Sequence, residues 1–204
     1  MISIDPATMS ERETYKFLIG SIIPRPIAFV TTKSESGILN GAPFSYFNIV
    51  SSNPPMISLS IQRPGGRQKD TARNIFQAKE FVVHIVDEEN VGKINETAAN
   101  LSPSESEIEL AQLTPIDSVQ IKVPGIKEAK VRMECRLEHA LEIGGEEAEA
   151  PSTDFIIGKV VQFHIDEAIY EKGRIDPNGL AAVSRLAGND YAKVGDIFTI
   201  ERPK

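Results

Sequence analysis

Residues 131–143, VRMECRLEHALEI, alternate between apolar and polar side chains, most cleanly over the first eight. Val131, Met133, Cys135 and Leu137 fall on one face, and Arg132, Glu134, Arg136 and Glu138 on the other. A period of two predicts an antiparallel strand with one face in the core and one in water. TDFIIGKVVQFHI, residues 153–165, predicts a second long strand. Ile27–Thr32 and EFVVHIV at 80–86 are short continuous β-type runs, and Pro24 and Pro26 exclude a helix just before the first. NGAPFSYFNIVSSNPPMISLSI, residues 40–61, predicts strands over 42–50 and 56–62, joined by a turn at Asn53-Pro54-Pro55.

Helical pattern is shorter and peripheral. Ser10 and Glu13 have capping-box spacing ahead of ERETYKFL. TARNIFQAK predicts a short helix that offers Ile75 and Phe76 to the core. Residues 87–112 turn helical, and within them Ser102 and Glu105 form a second capping box with Pro103 at the first helical position. From Tyr170 onward, Gly and Pro punctuate a tail expected to be mostly irregular. Strands dominate and no repeat or linker divides the chain, which predicts one mainly β domain, a barrel or sandwich with peripheral helices.

Composition narrows the function classes. With 204 residues and 41% hydrophobic content the chain can build one real core. A net charge of −7 argues against a general binder of nucleic acid or anionic membranes. The apolar runs fall far short of the ~20 residues a membrane helix needs, and the N-terminus lacks the pattern of a secretory signal. The expectation is a cytoplasmic protein. Cys135 is the single cysteine, so neither an internal disulfide nor a cysteine-based zinc site can form.

The loop RPGGRQKDTARN is the first candidate for chemistry. Gly65 and Gly66 allow positive φ or close backbone approach, Arg67 and Lys69 add positive charge, and Asp70 or Thr71 is placed to cap the following helix. A helix N-terminus with free N–H groups suits a phosphate, while a polar surface loop explains the same residues. The second candidate is the 40–61 segment. Small hydrogen-bonding groups sit there among Phe44, Tyr46, Phe47 and Ile49, as on the edge of a pocket for a planar heterocycle or on a wet sheet face. His84, His139 and His164 lie apart, and structural or surface roles are expected rather than a metal site. Cys135 is expected to be a buried inert thiol. No GxSxG elbow and no GxGxxG turn is present. GGEEAEA is expected to form a solvated hairpin loop.

In order, PRPIAFVTT, NGAPFSYFNIVSSNPPMISLSI, KDTARNI, EFVVHIV and DFIIGKVV resemble the flavin reductase family with the FMN-binding split-barrel fold. The resemblance implies a Greek-key antiparallel barrel over about residues 17–165 with a C-terminal extension over about 166–204, all within one domain of 1–204. It also implies a homodimer with noncovalent FMN, rather than FAD, near the subunit interface, and NAD(P)H as transient reductant. By position, Thr31 and Thr32 would end the first barrel strand beside the flavin, and Ala42, Pro43, Phe44 and Ser45 would contact the ring edge. Ser51, Ser52 and Asn53 would lie near the ring and ribityl chain, and Ser60, Gln62, Arg67, Lys69, Asp70 and Thr71 would surround the phosphate. No acid–base residues are implied, because the cofactor carries the chemistry. His84 stands where many relatives carry Asn, and GGEEAEAPSTDF stands where many carry a GDH-type segment. VSRLAGNDYA resembles the tail of one bacterial subgroup, in which Arg185 and Tyr191 would cover the active site. The implied activity is NAD(P)H-dependent flavin reduction serving free flavin or a partner such as a flavin-dependent oxygenase. The alternatives are an FMN-binding electron carrier or sensor without turnover, and a flavin-free interaction barrel.

Overall fold

The computed structural model describes residues 1–99, 101–145 and 151–203. Helix α1 (Glu11–Ser21) opens with the expected capping box: the Ser10 hydroxyl accepts from the Glu13 N–H, and the Glu13 carboxylate accepts from the Ser10 N–H. Strands β1 (Arg25–Pro26), β2 (Ala28–Lys33), β3 (Leu39–Phe44), β4 (Phe47–Ser52) and β5 (Pro55–Gln62) follow. After a 3-10 turn at Pro64–Gly66 come α2 (Asp70–Ala78), β6 (Glu80–Ile85), α3 (Val91–Glu96) and α4 (Glu107–Leu110). Short strands β7 (Pro115–Ile116) and β8 (Gly125–Ile126) precede the long hairpin of β9 (Val131–Ile143) and β10 (Thr153–Ile165). The C-terminal part carries β11 (Tyr170–Glu171), β12 (Arg174–Ile175), α5 (Pro177–Leu180), β13 (Val183–Arg185) and β14 (Tyr191–Lys193).

Seven strands form the frame in the order β3-β2-β6-β9-β10-β5-β4, and every pairing in it is antiparallel. Alternate positions point to one interior: Ala28 and Val30, Ile57, Leu59 and Ile61, Phe81 and Val83, Met133 and Cys135, Ile156 and Val160. Ala72 and Ile75 of α2 pack into the same cluster. The reverse face of β2 is covered as well, since Phe29 packs with Ile94, Ile108, Ile126 and Val183. Two covered faces explain why the β2 and β6 runs are continuously apolar although their sheet is antiparallel. Each fully buried Phe or Ile of this kind is worth about 1.5–3 kcal/mol. Gly158 is dictated by packing, because a Cβ there would lie 2.3 Å from the Phe81 ring.

Several local expectations are corrected. The strand expected over 42–50 is two strands, with the chain turning at Ser45–Tyr46 between β3 and β4. Ser102 and Glu105 close a turn, through the Ser102 N–H to the Glu105 carboxylate, and do not open a helix; the helix starts at Glu107, capped by Ser106. The capping residue of α2 is Lys69, and neither Asp70 nor Thr71 supplies a side-chain cap. Glu134, expected in water, is fully buried. A crossing segment explains it: the Val119 and Gln120 N–H groups each donate to its carboxylate at 2.7 Å, and His164 Nε2 lies 2.6 Å away. The tail is more ordered than its composition suggests, since β13 pairs with both β1 and β14. Residues 146–150 of the acidic GGEEAEA stretch lie outside the described residues.

Candidate functional site

On β5 the apolar residues Ile57, Leu59 and Ile61 face the barrel interior, so Ser58, Ser60 and Gln62 face outward. The turn after β3 runs beside this outer face, and the Tyr46 carbonyl accepts from the Ser60 N–H. A cleft forms there. It is lined by Tyr15 and Ile19 of α1, Arg25, Pro43, Phe44, Ser45, Tyr46, Ser60, Gln62 and Lys69, with Arg185, Leu186 and Gly188 from the C-terminal hairpin. Pro43, Phe44, Ser45, Ser60, Gln62 and Lys69, which fall in three separate segments of the sequence, thus line one cleft. Lys69 Nζ stands 5.8 Å from the centre of the Phe44 ring.

The cleft carries an unusual cation that the sequence reading missed. Arg25 is buried and has no carboxylate partner among the described residues. Its Nη1 donates to the Ile19 and Ile22 carbonyls at 2.7 and 2.6 Å, and its Nη2 to the Leu186 carbonyl at 2.7 Å. It therefore ties the end of α1 to the C-terminal hairpin. Its Nε has no protein acceptor among the described residues, and the residue itself lines the cleft. The only hint in the sequence was a lone arginine between two prolines. Burial, then the neighbouring Tyr15, pushes the Tyr46 hydroxyl above its ordinary value against the pull of Arg25, so it stays a neutral donor.

Beside the cleft, the turn before α2 has the backbone its glycines allow, with φ of 61° at Gly65 and 72° at Gly66. Arg63 anchors it. Its guanidinium donates to both oxygens of buried Asp154 and to Glu142, and its N–H donates to the Ser152 carbonyl. Gln68 also donates to Asp154 at 3.2 Å. The β9–β10 hairpin thereby clamps the segment carrying exposed Arg67 and Lys69. Asp70 pairs with Arg73, and Thr71 is buried at the first turn of α2.

Other expected site residues lie elsewhere. Thr31 and Thr32 are fully buried and do not line the cleft. Thr31 donates to the Pro124 carbonyl at 2.7 Å, and Thr32 accepts from Asn74, which also donates to Asn40. Ala42 packs against the barrel core. Ser51, Ser52 and Asn53 form the far end of the β4–β5 hairpin. Pro55, paired with Ser52, is five residues from Ser60, or about 17 Å at ~3.4 Å per residue.

His84 and Cys135 are buried in the frame, His164 pairs with Glu134, and His139 is on the surface. His84 is fully buried, with Nδ1 2.9 Å from the Phe29 carbonyl and Nε2 accepting from the Ile126 N–H at 3.0 Å. This pairing fixes a neutral ring with its proton on Nδ1. Burial lowers its pKa to about 3, with Arg132 and His164 adding to the depression. Burial pushes the Cys135 thiol far above its ordinary value. No group of His, Cys, Asp and Glu fit to hold a metal occurs among the described residues. No described helix is long and apolar enough to cross a membrane.

The frame and cleft together define a flavin reductase split barrel, and comparison with known proteins gives the same class. The flavin reductase like domain family matches residues 19–179, and the chain belongs to that family. It is 53% identical to the Bacillus subtilis protein YwrF over 197 residues, covering 96% of each chain. The structure is similar to that of nitrilotriacetate monooxygenase component B from Bacillus cereus, with TM-score 0.96, 60% identity and 98% of each chain covered. It is also similar to 2-nitrobenzoate 2-nitroreductase NbaA of Pseudomonas fluorescens, with TM-score 0.89, 26% identity, and 99% and 96% of the two chains covered.

Proposed function

We propose that this oxidoreductase binds FMN noncovalently in the cleft between α1, the β3–β4 turn and β5, and acts as an NAD(P)H-dependent flavin reductase. A cleft wall of hydroxyl, amide and ammonium groups backed by the buried cation of Arg25, next to a basic helix N-terminus, is the observation that carries this reading. Ser45, Ser60 and Gln62 would hold the polar edge of the ring system, with Phe44 and Tyr46 as apolar wall. Lys69, the N–H groups at the start of α2 and Arg67 would hold the phosphate. Bound FMN would supply the redox chemistry, taking a hydride from a reduced nicotinamide and passing electrons to free flavin or a partner. The 60% identity to a monooxygenase component supports an oxygenase as that partner.

Within one chain the cleft, at about 160 Å³, is too small to enclose a three-ring flavin with its ribityl phosphate. A homodimer completes it in our reading. β4 is an edge strand with Ile49 77% and Val50 45% exposed, an apolar surface suited to a second copy. A second copy seated there brings its own Ser51–Asn53 hairpin end to the site, which reconciles the distance within one chain. The test is the visible spectrum of the purified protein, followed by steady-state oxidation of NADH and NADPH with FMN, FAD or riboflavin. A flavin spectrum and turnover above the free-flavin background are expected. Tight FMN that dithionite reduces and nicotinamide does not would replace the reductase with an electron carrier.

A further inference from the structure

The wall Pro43–Phe44–Ser45 has a second side. There it lines another cleft, closed by Ile27, Asn95, Ala98, Arg185 and Tyr191, with a volume of about 190 Å³. Arg185 also reaches the first cleft, so it stands at the boundary of the two. Its guanidinium lies 4.5 Å from the centre of the Tyr191 ring, and its Nη2 donates to the Gly188 carbonyl at 2.6 Å. The Tyr191 hydroxyl donates in turn to Asn95 Oδ1 at 2.9 Å. The hairpin of β13 and β14 therefore holds Arg185 in one orientation. Half-buried Arg185 is the only cation on this cleft's wall among the described residues and has no ion-pair partner among them.

We propose that this cleft binds a single-ring aromatic carboxylate, with Arg185 as its anion anchor. Ile27, Pro43, Phe44 and Ala98 give the flat apolar surface a ring requires, and the guanidinium with donors left free suits bidentate carboxylate recognition. Size selects one ring, because the cavity is far too small for a dinucleotide. Stacking on Tyr191 keeps the fork oriented and lowers the ordering cost of binding. The site shares its wall with the flavin cleft, so a ring bound there lies beside whatever the first cleft holds.

Calorimetric titration of the purified protein with benzoate and with benzamide tests this. Benzoate should bind at least tenfold more tightly than its neutral isostere. Arg185→Gln should lose about tenfold or more of the benzoate affinity, and Arg185→Lys, which keeps the charge, should recover part of it. A circular-dichroism melt of each variant separates this from unfolding. Equal affinity of wild type and Arg185→Gln for benzoate overturns the proposal. Displacement of benzoate by ADP-ribose binding more tightly than benzoate itself also overturns it, assigning the cation to a dinucleotide phosphate. The flavin reading is scored separately by the FMN spectrum, so either can fail alone.

Discussion

Acidification should weaken the fold through one buried ring. His84 is fully inside the barrel wall and neutral, holding the Phe29 carbonyl on one nitrogen and the Ile126 N–H on the other. Protonation would place a charge in the core beside Arg132 and His164, and would remove the acceptor that Ile126 needs. The native pKa is about 3 against 6.5 for an unperturbed ring. The unfolded chain therefore binds the proton first, so the contribution is whole above pH 6.5 and is lost as pH falls toward 3. Each unit corresponds to 1.36 kcal/mol. The loss should reach about 2 kcal/mol at pH 5 and about 5 kcal/mol in full. Glu134 does not intrude on the upper part of this window. Burial raises its pKa, but the Val119 and Gln120 N–H groups and His164 more than offset that and hold it below the ordinary carboxylate value. Its contribution is present above the unfolded pKa of 4.5 and fades at lower pH. The assay is urea denaturation at pH 7.0, 6.0, 5.5 and 5.0 for wild type and His84→Gln, which cannot titrate. The variant will be less stable at pH 7, and its stability should fall less than that of the wild type between pH 7 and 5. Parallel pH profiles would refute the neutral-histidine argument.

Two further substitutions probe the cofactor end. Lys69→Ala, and to a smaller degree Arg67→Ala, should weaken FMN more than riboflavin, by about 1.5–3 kcal/mol or roughly ten- to a hundredfold. Equal losses for both ligands in a flavin-fluorescence titration would remove these residues from the phosphate. Asp154→Asn should cost roughly 3 kcal/mol in denaturant stability by unpairing a buried ion pair. It should also loosen the Arg63-anchored turn, so FMN affinity should fall while riboflavin affinity is spared; intact FMN binding would show that the clamp does not position the phosphate loop.

Much of the frame was written in local pattern. The period of two over 131–143, the runs at 27–32 and 80–86 and the Ser10–Glu13 cap each became the expected element, because each is satisfied by neighbours in sequence or by one covered face. Gly65 and Gly66 were legible for the same reason: positive φ is a local demand. The break at Ser45–Tyr46 was not legible, since the apolar run continues across it and only pairing with different strands divides β3 from β4. Burial of Glu134 depended on a segment that crosses it from residues 119–120. No property of the alternating strand announces that cover.

The same division governs the site. Residue chemistry by itself determined that small polar groups on 40–61 and a basic Gly-Gly turn could serve one anionic heterocycle. Tertiary structure decided which of them meet: it joined Pro43, Phe44, Ser45, Ser60, Gln62 and Lys69, buried Thr31 and Thr32, and put Ser51–Asn53 at the hairpin's far end. It also brought Arg25 and Arg185 to the cleft, through carbonyls of α1 and a hairpin more than 150 residues away from it. Strand propensity and capping are short-range and can be read along the chain. Which side of the sheet a residue faces, and what lies against that side, follows from how the whole sheet curls and packs.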